Sequence, residues 1–157
     1  MPNYPVEIFS KSVASLDDLI VVAYKDSHNQ GTISIGKIQT TLKSIKFGRK
    51  INFSRKLPCF IKIVFLEPKR FIIAFVKPLN KHEAVALAGT IIDKNNIIFG
   101  GNFVFSNSPS CFIKISATSP DNIILSCVTT KLIDFHCMVD DTNKISSVKP
   151  TIKNLKG

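Results

Sequence analysis

The chain has 157 residues, a formal net charge of +10 and a hydrophobic fraction of 45%. That is enough apolar material for one domain with a real core, and too much for a disordered chain, which pairs low hydrophobicity with high charge. Twelve Phe and no Trp, with abundant Ile and Val, favour pleated, half-buried surfaces. No apolar run nears the roughly 20 residues of a membrane-spanning helix, and the N-terminus shows neither region of a signal peptide.

Asp18 to Lys25 reads as an apolar strand closed by the polar turn Asp26–Gly31. Thr32 to Phe47 follows as a strand region. Its apolar positions are odd at Ile33 and Ile35, even at Ile38 and Leu42, and odd again at Ile45 and Phe47. A phase slip beside Gly36 and Lys37 predicts a β-bulge there. Cys59 to Leu66 is a strong strand stopped at Glu67-Pro68, since Pro cannot donate to a central ladder. Arg70 to Val76 is another, with Phe71, Ile73 and Phe75 on one face.

A short helix is predicted near residues 80–88. Asn80 would cap it, Glu83 would complete a capping box, Ala84 to Ala88 would fill it and Gly89 would end it. Strands resume at Thr90–Ile92, Ile97–Phe105, Cys111–Ala117 and Ile123–Val128, with an extension through Ile133 and Phe135. Gly100-Gly101 reads as a bulge rather than a phosphate cradle. From Asp140 the composition turns to Lys, Ser, Thr, Asn and Pro, which predicts a basic flexible tail. No internal repeat is evident. The expectation is one all-β domain over residues 1–139, a β-sandwich or partly closed barrel, followed by a tail over 140–157.

The motifs of nucleotide-binding, hydrolytic and zinc-dependent enzymes are absent from the sequence. The cysteines, Cys59, Cys111, Cys127 and Cys137, lack metal spacing and read as reduced, mostly buried thiols. Asp134-Phe135-His136-Cys137 places Asp134 and His136 on one strand face and Cys137 on the other. A Cys–His nucleophile pair needs the two side chains together, so the segment reads as plain strand. The chain is expected to be no enzyme and to take no metal or cofactor.

The charge offers more. Between Lys37 and Lys81 lie 12 Lys and Arg residues against one carboxylate, Glu67. Residues 1–36 sum to −2, 82–143 to −3 and 144–157 to +4. A field this lopsided attracts phosphate. Lys37, Lys43, Lys46, Arg49, Lys50, Arg55 and Lys56 are the candidate contacts to a nucleic-acid backbone, a mode that positions without reading bases. Phe47 and Phe53, interleaved with them, are expected in the core.

Five blocks in order resemble the 30K superfamily of plant-virus movement proteins, over roughly residues 30–132. They are Thr32–Ile45 with its Gly36, Lys62–Arg70 with Glu67, Glu83–Gly89, Phe103 to Ile115 across Pro109, and Asn122–Thr130. The family's acidic position is usually Asp, where this chain has Glu67. The resemblance implies a jelly-roll-like sandwich, binding of single-stranded nucleic acid (RNA first), peripheral membrane association, self-association and unidentified host partners. It also implies transport of a viral genome through plasmodesmata, with residence in host cytoplasm and at the cell periphery. The alternatives are a matrix-type protein that lays the basic face on anionic membrane, and a host-interaction or silencing-suppressor module.

Overall fold

In the computed structural model, which describes residues 11–78, 82–107 and 112–154, the chain is all β. Among the described residues, fourteen strands form three antiparallel sheets. Sheet A holds β1 (Lys11–Leu16), β2 (Leu19–Lys25), β3 (Gly31–Gln39), β4 (Ser44–Phe47) and β5 (Ile51–Ser54). Sheet B holds β6 (Cys59–Glu67), β7 (Arg70–Lys77), β8 (Glu83–Asp93), β9 (Asn96–Phe99) and β10 (Phe103–Ser106). Sheet C holds β11 (Phe112–Ser119), β12 (Asn122–Val128), β13 (Leu132–Val139) and β14 (Ile145–Lys153). Each sheet is a run of consecutive strands, whereas a jelly roll interleaves its two sheets. No barrel closes among the described residues.

The sheets stack in three layers with B in the middle. Ile73, Phe75, Val85 and Leu87 of sheet B pack against Val21, Ala23, Ile33 and Ile35 of sheet A. On B's other face, Ile72, Ala74, Ala84, Ala86 and Ala88 pack against Ile113, Ile123, Leu125 and Val139 of sheet C. Burial on both faces makes β7 and β8 continuously apolar rather than alternating. This is why the predicted helix over 80–88 is wrong. Residues 80 and 81 lie outside the described residues, but Ala84 to Ala88 are strand, each paired in register with β7. A short apolar run bounded by Asn and Gly has no period that separates a buried strand from a buried helix.

Two further corrections concern sheet edges. The region 32–47 is two strands joined by a turn at Thr40–Lys43, and β3 pairs with β2 without a slip at Gly36-Lys37. The parity switch arises because β3 carries apolar residues on both faces: Ile33 and Ile35 point to sheet B, and Ile38 points outward. The expected tail over 140–157 contains β14, paired with β13 and anchored by Ile145, which is buried in the B–C core. Its polar composition reflects an outer edge strand, with Pro150 in it.

The layers are also repeats, contrary to the sequence reading. In sheet A, β4 and β5 lie collinear along β3: Phe47 faces Gly36 and Ile51 faces Ile33. In sheet B, β9 and β10 lie collinear along β8: Phe99 faces Gly89 and Phe103 faces Ala86. Both interruptions insert one extra residue, the definition of a bulge. The sequences match at a spacing of 52: Ile45, Phe47, Gly48 and Phe53 against Ile97, Phe99, Gly100 and Phe105. Left-handed turn residues recur similarly, Asp17 and Lys69, then Asn29 and His82. A Cβ on Gly48 would sit 1.9 Å from the Lys94 carbonyl of sheet B, and one on Gly100 would sit 2.1 Å from the Asn143 carbonyl of sheet C. Each glycine lets its edge lie against a turn of the next layer.

Candidate nucleic-acid interface

β3 spans eight residue steps from Gly31 to Gln39, roughly 26 Å at the strand rise, and the basic residues are strung along the β4–β5 edge beside it. Lys37 and Lys46 are direct cross-strand partners, a like-charge pairing that is unfavourable unless something anionic lies over it. Lys37 also meets Asp18 at 3.7 Å, but both side chains are more than half exposed, so the bridge is well screened. Lys43 occupies the β3–β4 turn in a left-handed conformation, φ 48°. Lys50, Arg55 and Lys56 are exposed along and just beyond β5.

Arg49 differs from the rest. Its backbone N–H donates to Asn95 Oδ1 (2.9 Å), its Nε to the Asn95 carbonyl (2.7 Å) and its Nη2 to Asn96 Oδ1 (3.4 Å). It ties the edge of sheet A to the β8–β9 turn. Asp93 in that turn is held below the ordinary carboxylate value, first by the Asn96 side chain and then by the Asn95 N–H, with a smaller contribution from the Arg49 charge.

The rest of the linear basic block is dispersed by the fold. Lys62 and Lys69 are exposed on sheet B. Lys77 reaches over the Phe75 ring, 6.0 Å from its centroid. Lys81 lies outside the described residues. Arg70 is 7% exposed and joins three turns. It meets Glu67 at 3.5 Å and Asp121 at 3.6 Å, donates to Asn143 Oδ1 at 3.1 Å, and bonds the Asp140 carbonyl. Asn143, 2% exposed, donates in turn to Thr90 Oγ1 (2.9 Å) and the Ile98 carbonyl (3.3 Å). This node clasps sheet B to sheet C. Neither it nor the repeat entered the sequence reading; the signal for the repeat was the Ile-x-Phe-Gly spacing.

The other candidates sort as follows. Glu67 is engaged by Arg70. Gly36 lies beneath Phe47, whose ring a Cβ there would meet at 2.8 Å. Pro109 lies outside the described residues. Phe53 packs edge-on against Phe75, ring centroids 5.2 Å apart, whereas Phe47, expected in the core, is 47% exposed. Asp134 and His136 are on the outer face of sheet C and Cys137 is in the core. Asp134 accepts from Ser126 Oγ (2.7 Å) and pairs with Lys153 (3.1 Å). It is held below its ordinary value first by that serine bond. Burial pushes the Cys59 and Cys137 thiols up to about 11, so neither is a ready thiolate. Cys111 lies outside the described residues.

No family model, curated protein or solved structure matches this chain.

Proposed function

We propose that this protein binds single-stranded nucleic acid along the β4–β5 edge, without sequence preference, and serves the cell-to-cell movement of a viral genome in plants. The observation that carries the binding is the row Lys37, Lys43, Lys46, Lys50, Arg55 and Lys56 on one sheet edge, where Asp18 is the one carboxylate paired to it among the described residues. Cations spaced along an extended edge suit a flexible polyanion. The movement role rests on the order of the five sequence blocks. The proposal takes an all-β sandwich from that likeness and leaves aside its jelly-roll connectivity.

The test is binding of a fluorescent single-stranded RNA across a salt series. Six displaced counterions give log K against log salt a slope of roughly −4. Replacing Lys43, Lys46 and Lys50 by Ala should bring that slope to about −2. Arg49→Ala should leave it near −4, because Arg49 is spent on sheet B. Absence of salt-sensitive RNA binding sinks the reading. A second reading, an anionic bilayer, is favoured by Leu42 and Ile45, 71% and 45% exposed beside these lysines. Vesicle binding without RNA binding would select it. For the movement role, tagged protein should form wall-associated puncta in plant epidermal cells, and a diffuse signal counts against it.

A further inference from the structure

β1, β6 and β11, the first strands of the three sheets, run side by side along one margin of the stack. Among the described residues each pairs with a single strand, so each keeps one edge outside its ladder. Register matches the three strands position by position. Ser12 faces Ala23, Lys62 faces Ala74 and Lys114 faces Ser126, each partner lying four residues into the second strand of its sheet. Val13, Ile63 and Ile115 come next. Lys62 and Lys114 also share the run Phe-Ile-Lys-Ile, Phe60 to Ile63 and Phe112 to Ile115, at the same spacing of 52 as the Ile-x-Phe-Gly repeat.

The two junctions along this margin differ by one side chain. Between β1 and β6, the Ile63 N–H donates to Ser12 Oγ at 3.1 Å. Serine there supplies the acceptor that the next sheet's bare edge needs. Between β6 and β11 the equivalent donor is the Ile115 N–H, on a residue 7% exposed. The residue in serine's place is Lys62, and an ammonium donates but cannot accept. Two donors therefore converge where the first junction has a donor and an acceptor. A groove of about 280 Å³ lies at this second junction, walled by Val64, Ile113 and Ile115, with Phe112, Lys62 and Lys114 around them. Among the described residues no carboxylate pairs with either lysine.

We propose that this groove binds a small amphipathic carboxylate. One oxygen would accept from the Ile115 N–H and the other from the Lys62 ammonium, with Lys114 adding positive charge. The aliphatic walls would take the ligand's apolar body, the usual division of labour in small-molecule sites. A monoanion suits such walls better than a phosphate dianion, which costs more to strip of water. The groove is on the margin opposite the β4–β5 edge, since β1 and β4 are the two ends of sheet A. It does not rest on the nucleic-acid reading.

Octanoate, octanamide and acetate separate the parts of this claim. Calorimetry of the full chain should show saturable octanoate binding. Octanamide has the body without the charge and should bind roughly 10- to 100-fold more weakly, the worth of one charged hydrogen bond. Acetate has the charge without the body and should not bind measurably. Lys62→Ser rebuilds the first junction at the second, so octanoate binding should fall by the same factor with unchanged circular dichroism. Lys62→Met, which drops the charge and keeps most of the length, should weaken binding as well. Lys46→Ser, on sheet A, should leave it unchanged. Because the chain has no Trp, Phe112→Trp places a lone reporter at the groove, and its emission should shift to the blue as octanoate enters. Absence of octanoate binding overturns the proposal. So does octanamide binding of equal strength, or full octanoate binding by both Lys62 variants. RNA is in none of these titrations, so this proposal and the nucleic-acid reading fail separately.

Discussion

Replacing Arg70 by Met should destabilise the protein by about 2–3 kcal/mol, and the structure shows where that figure comes from. Met keeps most of the buried volume, so the cavity contribution is small. Glu67 and Asp121 lose their cation, but their side chains are 43% and 65% exposed, so water recovers most of that loss. The cost falls on Asn143, whose Oδ1 loses the Arg70 donor in a site 2% exposed, and on the Asp140 carbonyl. An unsatisfied buried acceptor costs about 1–3 kcal/mol. In a domain of this size each kcal/mol shifts the midpoint by roughly 2–4 °C. Urea titration followed by circular dichroism gives the free energy. A cycle with Asn143→Ala should show coupling of about 1 kcal/mol, because the two residues share one bond. A loss below about 0.5 kcal/mol, the scale of ordinary surface substitutions, or strict additivity with Asn143→Ala, would refute the clasp between sheets B and C.

Gly100→Ala should destabilise clearly, since its Cβ meets the backbone of Asn143, while Gly101→Ala, with nothing within 4 Å of its Cβ, should be near neutral; thermal midpoints of the two variants decide it. Asp26, Asp93, Asp134 and Asp140 are held below the ordinary carboxylate value, led by bonds from Gln30 N–H, Asn96, Ser126 and Thr142 respectively. A lowered folded value gives stability that is present above the unfolded value and lost as pH falls through the folded one, so urea midpoints should stay level from neutral pH down to about 5 and fall below about 4. For Cys59 and Cys137 the sign reverses. Thiols raised to about 11 by burial favour the fold below the unfolded value of about 8.5 and lose that contribution as pH climbs toward 11. Native protein should accordingly react slowly with a disulfide reagent at pH 8 at these two sites, and quickly in urea.

The strand content was legible because most strands have one face in a core and one in solvent. Ile113 and Ile115 alternate with Phe112 and Lys114, and alternation is what sequence shows best. The errors fall where that condition fails. Sheet B is buried on both faces, so Ala84 to Ala88 had no alternation to display. Phe47 is apolar yet exposed on sheet A's outer face, so it was assigned inward on hydrophobicity alone. β14 is polar because it is an outer edge, and it was taken for a tail. The basic residues of the candidate site could be named from sequence. That Arg49 and Arg70 are spent on inter-layer contacts could not, because their partners Asn95 and Asn143 lie 46 and 73 residues away.

The stacking also explains why the charge gathers on sheet A. Sheet B is pinned between two cores, and the Gly100 break between its short edge strands β9 and β10 meets the Asn143 turn of sheet C. Changes there must satisfy two packings at once. Sheet C uses its outer face for a hydrogen-bonded polar centre and its outer edge for Pro150, devices that keep a terminal sheet solitary. Sheet A repeats the same strand plan; on its outer face Thr32 bonds Asp26 and Asn52, while Val13, Ile45 and Phe47 stay exposed. Where sheet B has Ile98 and Thr90 on the pleat face opposite Phe99, sheet A has Lys46 and Lys37. The positions that hold an exposed Ile98 and a half-buried Thr90 in one layer became a cationic pair in the next. Lysines on that edge block further strand addition to sheet A.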